Sequence, residues 1–127
     1  YSPDEEEALL RKYLQHSPDG LVLTGIDHNP GVWDLLRAQA IPTVHTIETL
    51  EGADDMSVGF SQFDSGYAAG RHLVERGYRR IGIVGAQLDP RSLRRCEGCR
   101  QALRDAGLYD PALEIMTPEK SSISLGA

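Results

Sequence analysis

The chain carries little that would commit it to covalent chemistry. Its 127 residues include only two cysteines, Cys96 and Cys99, too close in sequence to staple a fold, and such sparse use favours a reducing compartment. No apolar run reaches the roughly 18 residues of a spanning helix, so a membrane segment is excluded. No basic start followed by an apolar block marks a signal peptide, since the chain opens Tyr1-Ser2-Pro3-Asp4. The missing initiator Met suggests a cut segment. Phosphate-cradle motifs are absent too: Gly82-Ile83-Val84-Gly85 lacks the Gly-x-Gly-x-x-Gly order, and no Gly-Lys-Ser/Thr occurs. There is no Gly-x-Ser-x-Gly elbow and no His-Glu-x-x-His. Cys96-Glu97-Gly98-Cys99 is formally Cys-x-x-Cys, but a zinc site wants a second ligand pair, and the four histidines are scattered. A redox dithiol would want an exposed helix N-terminus. With Leu103 and Ala106 following at helical intervals, both thiols read as small core residues. Neither cofactor nor metal is expected, and the chain reads as no enzyme. A dithiol oxidoreductase or an α/β transferase would rest on topology alone.

What is present is unevenly spread. Residues 1–60 hold 11 acids against 3 bases, a balance of −8, whereas residues 61–127 hold 8 acids against 10 bases, a balance of +2. Nine arginines fall between Arg71 and Arg104. Clustered positive charge is what a duplex-binding surface needs. The overall balance of −6 favours Arg-rich helix surfaces with one or two arginines committed to a ligand. The length suits one domain with a core of moderate size.

Taken in order, Ser2-Pro3-Asp4-Glu5 is a capping box opening a helix whose apolar face is Leu9, Leu10, Tyr13 and Leu14. Ser17-Pro18-Asp19-Gly20 is a turn into the strand Leu21-Val22-Leu23, and Thr24-Gly25-Ile26-Asp27-His28 leaves that strand at the edge where parallel sheets bind ligands. Asn29 caps and Pro30 starts a helix facing inward through Val32, Leu35 and Leu36, with Trp33 as core or edge packing. Ile41-Pro42-Thr43-Val44 starts a strand, Thr46 to Asp55 form a polar loop, and Ser57-Val58-Gly59-Phe60 is a further strand. Asp64 or Ser65 caps the next helix, which buries Ala69, Leu73 and Val74 and ends at Gly77. Ile81 to Gly85 reads as a strand buried on both faces. A helix with Arg94, Arg95, Cys96, Gly98 and Cys99 near its start closes at Gly107, and a weaker strand follows near Leu113-Glu114-Ile115-Met116. Ser121 to Ala127 resembles the opening of another helix. The alternation predicts an α/β fold with parallel sheets. The first helix, with no strand before it, has no sheet of its own to pack on. The expectation is therefore a chain that begins and ends inside a larger fold.

Arg95 stands apart. In the first turns of a helix after a strand, a guanidinium can hold hydroxyls, or a carboxylate through two bonds, although a plain surface arginine reads equally well. Several stretches together point further. Val58-Gly59-Phe60-Ser61, Gly66-Tyr67-Ala68-Ala69-Gly70, His72 to Ile81 (His-Leu-Val-Glu-Arg-Gly-Tyr-Arg-Arg-Ile) and Arg95-Cys96-Glu97-Gly98 with Ala102-Leu103 resemble the ligand-binding domain of the lactose-repressor/galactose-repressor family. Asp19 to Leu23 and Ile41 to Val44 match two further stations in the right order. The Thr24-Gly25 loop and Val58 to Ser61 look most like the gluconate-repressor branch.

The resemblance implies a two-lobed, type I periplasmic-binding-protein fold, present here as an incomplete fragment. It would sense a small sugar or sugar-acid effector between its lobes and control operator binding through lobe rearrangement. Residues 1–60 would belong to the N-terminal lobe and 61–127 to the start of the C-terminal lobe. The family's principal effector arginine maps onto Arg95, and strand-end contacts map onto Thr24 and Ser61. Glu48 is the candidate after the Ile-Pro strand. Operator DNA would be met by a homodimer in the cytoplasm, only through a helix-turn-helix domain absent from this chain. An extracytoplasmic sugar-binding protein of a transport system is the alternative that shares the fold. Many members carry Asp-Asn at the interlobe crossover, where this chain has Phe60-Ser61.

Overall fold

A computed structural model describes residues 3–49 and 56–125. The Ser2 cap, the later part of the loop expected to Asp55, and the last two residues of the expected terminal helix lie outside them. The chain divides into two compact units, Tyr1–Phe60 and Ser61–Ala127. Each has its own cluster of buried apolar side chains, so the single core expected from length becomes two smaller ones.

The first unit orders α1 (Pro3–Leu14), β1 (Leu21–Thr24), α2 (Pro30–Gln39), β2 (Thr43–Ile47) and β3 (Met56–Gly59). Its strands form one parallel sheet, β1-β2-β3, with Leu21 opposite Thr43 and Val44 opposite Met56. Asn29 caps α2: its side chain accepts the Val32 N–H at 2.8 Å, and Pro30, which has no N–H to offer, follows it into the helix. Leu10, Val32 and Leu36 are buried, with Leu14, Leu21, Leu23, Trp33 and Leu35 packed around them. Helix α1 packs with α2, and through Leu10 it joins the buried cluster against which Leu21 and Leu23 of β1 also pack. Only part of its expected apolar face is used, since Leu9 and Tyr13 remain 55% and 63% exposed. Strand β2 also runs on to Ile47, through residues expected to be loop, because both neighbouring strands continue to pair with it.

The second unit orders α3 (Gln62–Glu75), β4 (Ile83–Ala86), α4 (Pro90–Asp105), a short 3₁₀ turn (Pro111–Leu113) and β5 (Glu114–Thr117), with β4 and β5 parallel. Ile81, Ile83 and Leu103 form the buried cluster, with Val74, Cys96, Cys99 and Tyr109 against it. Three expectations need correction here. Ser61, not Asp64 or Ser65, caps α3, since its Oγ accepts the Asp64 N–H at 3.1 Å. Strand β4 is not buried on both faces: Ile83 is 8% exposed and Val84 71%, because side chains alternate and the helical layer covers one face. The buried stripe of α3 is Gln62, Gly66 and Gly70, one helical turn apart, while Ala69 and Leu73 stay exposed. Gly77 and Gly107 take positive φ of 87° and 65° just past α3 and α4, as helix-ending glycines do. In the expected terminal helix, the described residues through Leu125 make only a turn.

Candidate functional site

Arg95 is positioned by backbone contact between α3 and α4. Asp89 caps α4, accepting the Arg91 and Ser92 N–H groups at 3.0 and 3.1 Å and the Ser92 hydroxyl at 3.0 Å. Burial opposes its ionisation, but those bonds, with Arg91 beside it, hold the carboxyl below its ordinary range. Arg95 lies in the second turn, at the crossing of the helices. A Cβ on Gly66 would come within 1.9 Å of the Arg95 carbonyl oxygen, and one on Gly98 within 1.9 Å of the Phe63 carbonyl oxygen. Such distances are impossible for a real side chain, so the two glycines set how closely the helices approach. The Arg-x-x-Gly pattern thus has a local cause: the glycine seats the helix, and the arginine one turn earlier is carried to the start of α3.

At that point Arg95 meets Gln62. The guanidinium donates from Nε at 3.1 Å and from Nη2 at 2.5 Å to the single oxygen Oε1. Gln62 is 2% exposed, whereas Arg95 is exposed overall. Gln62 immediately follows Ser61, so the second unit brings two of its candidate features, Ser61 and Arg95, to one corner.

In the first unit, Thr24 and Glu48 share the C-terminal edge of the sheet. Thr24 pairs with Thr46 in register, and Thr46 Oγ1 donates to the Leu23 carbonyl at 3.1 Å. Thr24 is exposed. Glu48 follows Ile47, whose φ of 78° is an unusual conformation for a β-branched residue, and Glu48 is 4% exposed. The edge thus carries one open hydroxyl and one buried carboxyl.

The fold also assembles a group that sequence spacing did not disclose. His28, on the loop after β1, lies 3.0 Å from Glu6 Oε2 through Nδ1 and 3.3 Å from His45 Nδ1 through Nε2. Trp33 packs edge-on to His28 at 5.3 Å between ring centroids. The Glu6 carboxylate accepts only, so His28 Nδ1 carries the proton. In the neutral ring His28 Nε2 then accepts from His45 Nδ1. Histidines that looked scattered are therefore partly gathered, in a chain that ties α1, the loop after β1 and β2 together. Among the described residues no group of three or more His, Cys, Asp or Glu is arranged to hold a metal.

Cys96 and Cys99 sit mid-helix in α4, not at its N-terminus, and both are unbonded thiols packed against the core. Burial raises both thiol pKa values above the ordinary one, the opposite of an activated nucleophile. A groove of about 450 Å³ lies between α1 and β1, lined by residues such as Leu9, Tyr13, Leu21 and Val22. It is mainly apolar, and none of Thr24, Glu48, Ser61 or Arg95 lines it.

Comparison with known proteins settles the family. The family of periplasmic binding proteins and the sugar-binding domain of the LacI family matches residues 1–123. This chain belongs to that family. Its fold is accordingly a fragment of a periplasmic-binding-protein-like α/β domain. As a LacI-family sequence it is 48% identical over 126 residues to the HTH-type transcriptional regulator GntR of Pseudomonas aeruginosa, covering 99% of this chain and 37% of the relative. It is 32% identical to the Escherichia coli regulator of the same name, covering 99% and 38%. A crystal structure of transcription regulator GntR from Chromobacterium violaceum superposes with a TM-score of 0.89 at 45% identity, covering 99% of this chain and 46% of that one. The LacI-family chain thus spans less than half the length of these relatives. No helix among its described residues is long and apolar enough to cross a membrane.

Proposed function

We propose that this chain is the effector-sensing part of a LacI-type transcriptional regulator, in which a small sugar or sugar acid shifts the balance between lobe arrangements and so controls operator binding. The observation that carries the reading is the family match across residues 1–123, joined to relatives named as transcriptional regulators. Those names also favour regulation over the transport alternative. The Tyr1–Phe60 unit is part of the N-terminal lobe and the Ser61–Ala127 unit the start of the C-terminal lobe, a reading supported by the division after Phe60. Arg95 and Ser61 from the second unit, with Thr24 and Glu48 from the first, contact the effector. The support for Arg95 is its fixed seat beside Gln62 in a residue that stays exposed; for Thr24 it is an exposed residue at a strand end. Operator DNA is bound by a cytoplasmic homodimer through an N-terminal helix-turn-helix domain.

The test is calorimetric titration of the full-length protein with sugars and sugar acids, beginning with gluconate, followed by Arg95→Ala. Losing hydrogen bonds to a charged group should weaken effector binding by about tenfold to a hundredfold. Affinity unchanged in the variant would overturn the role given to Arg95.

A further inference from the structure

Three sulfur side chains gather where α4 packs on the β4–β5 pair, and packing does not use all that their chemistry offers. Cys96 and Cys99 are free thiols on α4, and Met116 lies on β5 opposite Gly85 of β4. A Cβ on Gly85 would come within 2.7 Å of Met116 Sδ and 3.2 Å of Cys96 Sγ, so both sulfurs close over one backbone position. A Cβ on Gly70 would come within 3.2 Å of Cys99 Sγ. Two glycines thus leave the space that the thiols occupy. None of the three sulfur residues is sealed from solvent, since each is only half-buried. Residues three apart on a helix have Cβ atoms about 5–6 Å apart, and metal–sulfur bonds of about 2.3 Å let one ion bridge two thiolates over that span.

The donor set decides the ion. Zinc wants four ligands and hard cations want oxygen, and two thiols with a thioether supply neither. Thiolate and thioether sulfur select soft Cu(I), for which two or three donors suffice. Charge points the same way. Burial keeps both groups as thiols, and ionising Cys96 hinders Cys99. A shared cation removes that repulsion, while Arg100 and Arg95 favour the Cys96 thiolate against Glu114.

We propose that Cys96, Cys99 and Met116 form a binding site for a soft monovalent cation, Cu(I) or its heavier congener Ag(I). Binding exchanges protons for metal: Cu⁺ and two R–SH give [R–S–Cu–S–R]⁻ and two H⁺, with no change of oxidation state. Met116 Sδ is the third, neutral donor. Arg95 supplies charge nearby but no donor. In the metal-free chain the thiols serve as packing.

The experiment titrates the full-length protein, reduced and under nitrogen, with Cu(I) held as its bicinchoninate chelate. The unmodified protein should withdraw one more equivalent of Cu(I) per chain than the Cys96→Ser/Cys99→Ser variant. It should also show an ultraviolet thiolate-to-metal charge-transfer band that the double variant lacks. Met116→Leu should keep that equivalent at about tenfold lower affinity, the lower end of what supporting groups contribute at metal sites. Excess Zn(II) should displace none of it. Equal copper uptake by the double variant overturns the site, and displacement by Zn(II) overturns the soft class. Unchanged affinity in Met116→Leu overturns the part given to Met116. Should the double variant fail to fold, alkylation of the unmodified chain decides. Ag(I) should protect Cys96 and Cys99 together from iodoacetamide, read by peptide mass spectrometry, and equal labelling with and without Ag(I) overturns the proposal.

Discussion

The Tyr1–Phe60 and Ser61–Ala127 units both lay helices on a parallel sheet, yet they close by different means. The first relies on branched aliphatic side chains, with Leu10, Val32 and Leu36 buried between helices and strand. The second brings two helices into backbone contact through Gly66 and Gly98, then ties α4 to β5 through ions. Arg100 donates to Glu114 at 2.9, 3.0 and 2.5 Å, engages Glu97 as well, and Tyr109 donates to Glu114 at 2.8 Å. The difference teaches that the second unit trades apolar area for close approach, and that this approach is what sets the position of Arg95. One unit should be sensitive to lost volume, the other to added volume.

The largest expected effect breaks the second unit alone. Gly98→Ala places a methyl against the Phe63 and Tyr67 backbone, so it should cost about 3 kcal/mol or more in a urea melt and loosen the Gln62–Arg95 contact with it. The matching change in the first unit, Leu36→Ala, should cost about 2–4 kcal/mol through a cavity, while Leu36→Met should be nearly silent. If Gly98→Ala proves the milder of the two, the proposed contrast between the units is wrong.

Next comes the ion network. The side chains of Arg100 and Glu114 are only 15% and 12% exposed, so breaking one side leaves a largely buried partner. Glu114→Gln should cost about 1–3 kcal/mol at neutral pH. Arg100 holds the Glu114 carboxyl below its ordinary pKa, with Tyr109 assisting. A depressed folded pKa contributes stability above the unfolded value of about 4.3 and loses it as pH falls towards the lowered folded value. Acid titration should therefore weaken the parent protein more than Glu114→Gln, and parallel acid limbs would show that the pair carries no such linkage. Smaller again are the two caps, Asn29→Ala in one unit and Asp89→Ala in the other, each at about 1 kcal/mol by thermal melting. Arg37→Ala should be smallest, within about 0.5 kcal/mol, since Arg37 and Asp34 are 74% and 76% exposed.

What could be read beforehand followed the range of the interaction. Asn29 as a cap, and Gly77 and Gly107 as helix ends, depend on partners within a few residues, and these readings agree with the structure. The cap of α3 is not legible in the sequence because Ser61, Asp64 and Ser65 are all competent caps, and only the backbone path chooses among them. The buried face of α3 is hidden from sequence for a different reason. Gln62, Gly66 and Gly70 do not register as apolar, so hydrophobic spacing drew attention to Leu73 on the open side. The Glu6–His28–His45 chain joins residues 22 and 17 positions apart, distances at which spacing carries no signal. Gln62 had one hint, its place directly after the strand-end Ser61, but nothing to say that it faces Arg95.

Local chemistry alone decided the alternation of helices and parallel strands and most of their punctuation, since turns, caps and period are short-range properties; the Arg95-Cys96-Glu97-Gly98 stretch stands out only through its resemblance to the family. Tertiary structure decided which faces are buried, and that the glycine of that stretch is a helix contact. It also decided that the two thiols are packing and that the Gln62 amide oxygen accepts from Arg95. Those depend on distances between segments far apart in the chain, and such distances exist only once the helices have packed.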